Sequence, residues 1–156
     1  MAPEGKLQIK SVDHIGIVVR DVDEAVKRYS KELGIGPWTT ITLGPGVPHQ
    51  IYGKEISSIS VKIAQVQIGP LSLALVQPLS GPSIHQEFLD THGEGIHHIG
   101  ALVQNIKQAS EKMHELGYPE TTSLTGIGPK GDGAAVYFDT QARLGALIEL
   151  IQPPSE

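Results

Sequence analysis

Two imidazoles and one carboxylate stand where this sequence can do chemistry. His14 opens the run "HIGIVV", His98 opens "HIGALV" in the other half of the chain, and Glu149 sits inside "LIEL". Imidazole and carboxylate are the side chains that hold borderline divalent ions and move protons near neutral pH. A carboxylate within a strongly apolar strand is costly unless it is paired or metal-bound, so Glu149 calls for such a partner. The chain has no cysteine, which excludes disulfides, thiolate metal sites and a cysteine nucleophile. Any metal must therefore be held by histidine, carboxylate or amide groups.

The elements that carry these residues are written twice. Setting "DHIGIVVRDVDEAVKRYSKELGIGP" over "HHIGALVQNIKQASEKMHELGYPE" puts His14 on His98, Gly16 on Gly100 and Ala25 on Ala109, and "LALVQP" matches "IELIQP" at the half ends. Asp21 with Glu24, and Asn105 with Gln108, have the spacing of helix capping boxes. Val22, Ala25, Val26, Tyr29 and Leu33 recur at helical spacing, as do Ile106, Ala109, Met113 and Leu116, and Gly34 and Gly117 follow where a C-terminal cap belongs. A strand precedes each helix and three strand-like runs follow it. The fold class is therefore α+β, with tandem βαβββ modules over residues 11–79 and 95–153.

Side chains alternate across a strand, which sorts the candidates. Ile15, Ile17 and Val19 face the helix with His14 and Gly16 opposite; Ile99, Ala101 and Val103 repeat this with His98 and Gly100 opposite; Ile148 and Leu150 underlie the helix and Glu149 points away. His14, His98 and Glu149 thus share one sheet face. A two-residue turn at Gly69-Pro70 would set Gln65 opposite Ala74 on that face, and the repeat alignment matches Gln65 with Tyr137 and Gln67 with Asp139. By the same alternation His97 points away from His98 and reads as structural, while His49, His85, His92 and His114 read as solvated. Two stretches lie outside the repeat: "GPGVPHQIYGKEISS", a long loop and candidate lid, and "GPSIHQEFLDTHGEG", a linker with a short helix starting at Ser83 and a capping box to Gln86.

With 39% hydrophobic and 19% charged residues and a net charge of -5, the composition is that of a soluble globular protein with no electrostatic reason to bind nucleic acid or an anionic membrane. The first ten residues lack the apolar core of a secretory signal, and no run approaches the roughly 18 apolar residues of a membrane span, so a cytoplasmic protein is the expectation.

A tandem βαβββ chain with these histidines and the glutamate of "LIEL" resembles the vicinal oxygen chelate superfamily, which includes glyoxalase I, methylmalonyl-CoA epimerase, extradiol dioxygenases and bleomycin-resistance proteins. The resemblance runs from about Ser11 to Pro153 and is closest in layout to the epimerases, on whose third and fourth strands "VKIAQVQIGPLSLALVQPL" lines up without gaps. It implies one domain over residues 1–156, built as a cupped, barrel-like mixed sheet, with His14, His98 and Glu149 as ligands of a divalent metal (Co, Mn, Ni, Zn or Fe) on the concave side. Gly16 and Gly100 would leave room there for a substrate. The chain departs from the epimerase pattern at Ala74, where a fourth ligand is usual, and at Ile63, where one pattern has a second catalytic glutamate.

The activity implied is metal-dependent proton transfer beside a carbonyl or thioester of a small-molecule substrate: an epimerase or isomerase, or a glyoxalase-like lyase. Glu149 would ligate and help move the proton, with Gln65, Tyr137 or Asp139 meeting the substrate and Lys130 at the rim. The three-ligand set equally fits an Fe(II) dioxygenase, and the superfamily also contains binding proteins without catalysis. Relatives often pair as dimers, which implies a homodimer.

Overall fold

The computed structural model describes residues 7–9 and 11–156. Among the described residues are four helices and ten strands, and the chain divides into two compact units. One unit holds His14–Pro48 and Ile56–His98; the other holds His49–Glu55, Ile99–Glu156 and the stretch ending at Asp13.

The first unit is built on β1 (Ser11–Val18) from His14 onward, α1 (Val22–Leu33), β2 (Thr39–Leu43), β5 (Ser60–Ile68), β6 (Leu71–Ser80) and α2 (Ile84–His92). Asp21 caps α1, its carboxylate accepting from the Glu24 N–H at 3.1 Å, and Gly34 ends the helix in the left-handed region at φ 67°. Val22 of the helix is buried with Val19, Ala64 and Leu75, and Ile17, Ala25, Val26, Tyr29 and Trp38 pack around them. This is the apolar set that strand and helix periodicity picks out, so His14 and Gly16 take the opposite face. Strand order is β2-β5-β6-β1, with β1 parallel to β6 and the other pairs antiparallel. Gly69, at φ 59°, turns the chain between β5 and β6, and the register that follows sets Ile68 against Leu71 and Gln65 against Ala74. Ser83 caps α2 through the Gln86 N–H at 3.0 Å.

In the second unit α3 (Ile106–Glu115) is capped by Asn105, which accepts from the Gln108 N–H at 3.0 Å. Around it run β8 (Glu120–Ile127), β9 (Gly133–Phe138), the short α4 (Gln141–Leu144) and β10 (Leu147–Gln152), with β7 (Gly95–Leu102) divided between the units at His98 and Ile99. The core is Ala101, Val103, Ala109, Met113, Tyr118, Val136, Phe138 and Leu150. Strands β8, β9 and β10 pair antiparallel, and Glu149 of β10 falls opposite Tyr137 of β9.

The segment read as a loop and lid holds two short strands instead, β3 (His49–Ile51) and β4 (Lys54–Ile56). Strand β3 pairs antiparallel with β8, Gln50 against Ser123. The alternation is there in miniature, since His49 and Ile51 are buried and Gln50 is exposed. Flanking glycines and prolines obscured it. Tyr52 and Gly53, at φ 47° and 81°, make the intervening turn, with positive φ at both central positions.

Candidate metal centre

His14 lies on β1 beside Ser72 of β6, and His98 lies on β7. Their Nε2 atoms are 3.1 Å apart and the rings stand at 85° to one another. Both side chains are buried, His14 at 9% exposure and His98 at 1%. Two nitrogens bound at about 2.0–2.1 Å to one ion, at angles between octahedral and tetrahedral, lie roughly 2.9–3.4 Å apart. The pair therefore has the spacing of adjacent ligands on a single divalent ion. Burial, and after it the charges of His85, His97 and His14, hold His98 well below the usual imidazole range, so it is neutral at physiological pH, the form that ligates a metal.

The space beside His14 belongs to His98. A Cβ added at Gly16 would lie 2.0 Å from His98 Cε1 and 2.1 Å from Nε2, closer than any real Cβ contact. Gly16 was expected to clear room for a substrate; in this unit it clears room for the imidazole.

Behind His98 the histidines differ from the sequence expectation. Alternation does not separate His97 from His98: its Nδ1 meets His98 Nδ1 at 2.8 Å, with the rings at 89°. Nδ1 is bonded to Cγ and stays near the strand, so neighbours pointing to opposite sides still bring these atoms together. His85 is not solvated either, since both its ring nitrogens are buried and its ring centroid lies 5.1 Å from that of His97. Phe88 adds an edge contact to His97 at 4.9 Å and stacks on His92 at 4.8 Å. Positions 85, 88 and 92 share one face of a helix, which was the legible signal for this packing. Burial, then the charge of His92, lowers His97 to about 4. His49, also read as solvated, is buried in β3.

In the other unit Glu149 is buried at 6% exposure, while Ile148 and Leu150 on either side pack toward the α3 core. Its cross-strand partner Tyr137 hydrogen-bonds the carboxylate. Burial first, and then the Glu149 charge and that hydrogen bond, raise the Tyr137 hydroxyl well above the ordinary phenol range, so it stays a donor. Gln65 is exposed on β5, between Thr39 of β2 and the buried Ala74 of β6. Gln67 is committed locally, accepting from Ser72 Oγ at 2.7 Å and donating to the Gly69 carbonyl at 2.9 Å. Lys130 and Asp139 are exposed. The described residues thus include histidine and carboxylate groups able to hold a metal ion.

Solved structures with the same fold include methylmalonyl-CoA epimerase from Mycobacterium tuberculosis, at TM-score 0.68 and 22% identity over 99% of this chain and 94% of that one. Another is a variant of Streptomyces coelicolor methylmalonyl-CoA epimerase in complex with 2-nitronate-propionyl-CoA, at TM-score 0.69 and 20% identity over 95% of this chain and all of that one. The Bacillus subtilis protein YqjC, which has no assigned function, is 24% identical over 93% of this chain and 94% of its own length. The glyoxalase-like fold is shared with these epimerases. No helix among the described residues is long and apolar enough to cross a membrane. The sequence profile of one family matches residues 13–138, and on that match the chain belongs to the glyoxalase/bleomycin resistance protein/dioxygenase superfamily.

Proposed function

We propose that the protein is a divalent-metal-dependent enzyme that promotes proton transfer at the carbon next to a carbonyl or thioester, as an epimerase or isomerase similar to methylmalonyl-CoA epimerase. The observation that carries this reading is the buried pair of Nε2 atoms at 3.1 Å, repeat-equivalent and spaced as two ligands of one ion. His14, His98 and Glu149 hold the metal in this reading, the third ligand taken from the repeat logic and the family resemblance. A bound divalent ion supplies electrostatic stabilisation of the charge that develops on the substrate oxygen, worth several kcal/mol.

The chain's own groups do the rest. Glu149 helps move the proton at the substrate carbon, and Tyr137, which donates to its carboxylate, holds its orientation. Gln65, exposed with an amide that both donates and accepts, meets the substrate. The named epimerase complex with a propionyl-CoA analogue makes a CoA thioester the substrate to try first. In line with the resemblance, the protein is taken to be a cytoplasmic homodimer.

The test follows α-proton exchange of methylmalonyl-CoA in deuterated water by NMR. Co-loaded protein exchanges the proton, chelation stops it, and His14→Ala lowers the rate by about a hundredfold or more, the scale of a lost metal or general base. Loaded protein that leaves the proton in place would overturn the reading. One observation favours a second activity: Ala74, buried with no donor atom, stands where a fourth ligand would be, leaving two histidines and a carboxylate as used by Fe(II) oxygenases. Oxygen uptake by Fe-loaded protein with a catecholic substrate, without α-proton exchange, would move that activity to first place.

A further inference from the structure

We propose that His97 is a positioning residue for His98: its Nδ1 accepts the proton of His98 Nδ1 and so fixes the tautomer that leaves His98 Nε2 free to ligate. The inference rests on the metal reading above and adds to it the device that prepares the ligand.

The two Nδ1 atoms are 2.8 Å apart, a hydrogen-bond distance, so one of them carries the proton between them. On its other side His98 presents Nε2 to His14 Nε2 at 3.1 Å. If both Nε2 atoms are to offer lone pairs to one ion, the single proton of neutral His98 must sit on Nδ1. His97 Nδ1 is then the acceptor, and the proton of neutral His97 sits on its Nε2. The reversed arrangement would leave His98 protonated on the very atom that has to ligate.

Packing leaves the rings few alternatives. His98 lies against the bare Cα of Gly16, where even a methyl group has no room. His97 is 1% exposed, so water cannot take its place as acceptor, and His85 and Phe88 of α2 cover its ring at 5.1 and 4.9 Å. Metal-ligating histidines usually donate their second N–H to a carboxylate, a carbonyl or water. Here the acceptor is an imidazole, itself able to hold either tautomer, and α2 is the element that presses it into place.

The experiment measures Co(II) affinity by chelator competition in the full-length protein, with His97→Asn and His97→Leu. Asparagine keeps an acceptor oxygen near the position of Nδ1, and leucine removes it. Affinity falls about 10- to 100-fold in His97→Leu, the usual cost of losing an outer partner, and stays within a few-fold of wild type in His97→Asn. In parallel, nitrogen-15 NMR of the Zn-loaded wild type shows His97 protonated at Nε2, with its Nδ1 bare and coupled to the His98 Nδ1–H across the hydrogen bond, a signature that a merely structural role would not produce and that is read even if His97→Leu fails to fold. Wild-type affinity in folded His97→Leu, or a His97 proton on Nδ1 in the loaded protein, would overturn the proposal. So would two ions per chain with the second lost in His85→Ala, since His97 Nδ1 would then be a ligand. His14→Ala separates the two levels: its loss of Co(II) keeps the metal reading whatever His97 does, and its retention of Co(II) sinks the metal reading itself.

Discussion

At the scale of single residues, the His98 imidazole is hemmed in by one absence and one partner. The absence is the Gly16 side chain. Gly16→Ala would drive a methyl group into the ring, and the ring cannot retreat toward His97 without compressing a contact already at 2.8 Å. Overpacking of this kind costs about 1–3 kcal/mol. The variant is expected to melt lower and to bind Co(II) more weakly, and thermal unfolding with metal titration checks both; unchanged metal affinity would mean that His98 does not ligate. The partner, His97, makes a second prediction in chelator-treated protein. Its unfolded value of 6.5 drops to about 4 on folding, so between those values the unfolded chain binds a proton that the folded one refuses. The unfolding free energy therefore rises with pH from about 4 to 6.5, by about 3 kcal/mol in all, is flat above that window, and is lost again as the pH falls back toward 4. Urea unfolding across that range, compared with His97→Leu, reads the slope; equal slopes would contradict the burial argument.

At the scale of elements, the repeat has a mechanical reason in its glutamines. Gln77 accepts from the Val22 N–H at 2.9 Å and Gln152 accepts from the Ile106 N–H at 2.9 Å, so in each half the last strand supplies an acceptor to the first turn of the helix. The matching phrases "LVQP" and "LIQP" are explained by this shared bond. Gln77→Ala is expected to cost about 1 kcal/mol. Gln152→Ala should cost more, because Gln152 also donates to the Asp132 carbonyl at 2.7 Å. Denaturant melts of the two variants measure the difference, and equal losses would show that the second bond contributes nothing. Caps, core faces and the β5–β6 register were legible because each is set by short-range spacing. Strand β3 and the His85–His97 packing were not: a three-residue strand is too brief to show a period, and its partner strand β8 is remote in sequence. Leu33 and Leu116 completed the apolar stripes on paper, yet both are exposed, Leu33 as the last residue of α1 and Leu116 as the C-cap of α3.

At the scale of the whole chain, duplication marks two of the candidate ligands in the sequence itself. Two copies of one phrase pointed to two equivalent imidazoles, and the structure joins His14 to His98 through atoms at 3.1 Å. Sequence alone could not supply the lateral packing around that pair, which depends on α2 and on the ring orientations. The membership of the family and its fold follow from the profile match over residues 13–138 and from structural neighbours that span nearly the full chain. The proposed reaction rests on the buried His14–His98 pair. The most direct measurement is anomalous diffraction at the cobalt edge from crystals of Co-loaded protein. The account predicts one ion per chain, bound by His14 Nε2, His98 Nε2 and a Glu149 carboxylate oxygen, with His98 Nδ1 turned to His97; an ion held without Glu149, or seated away from both imidazoles, would contradict it.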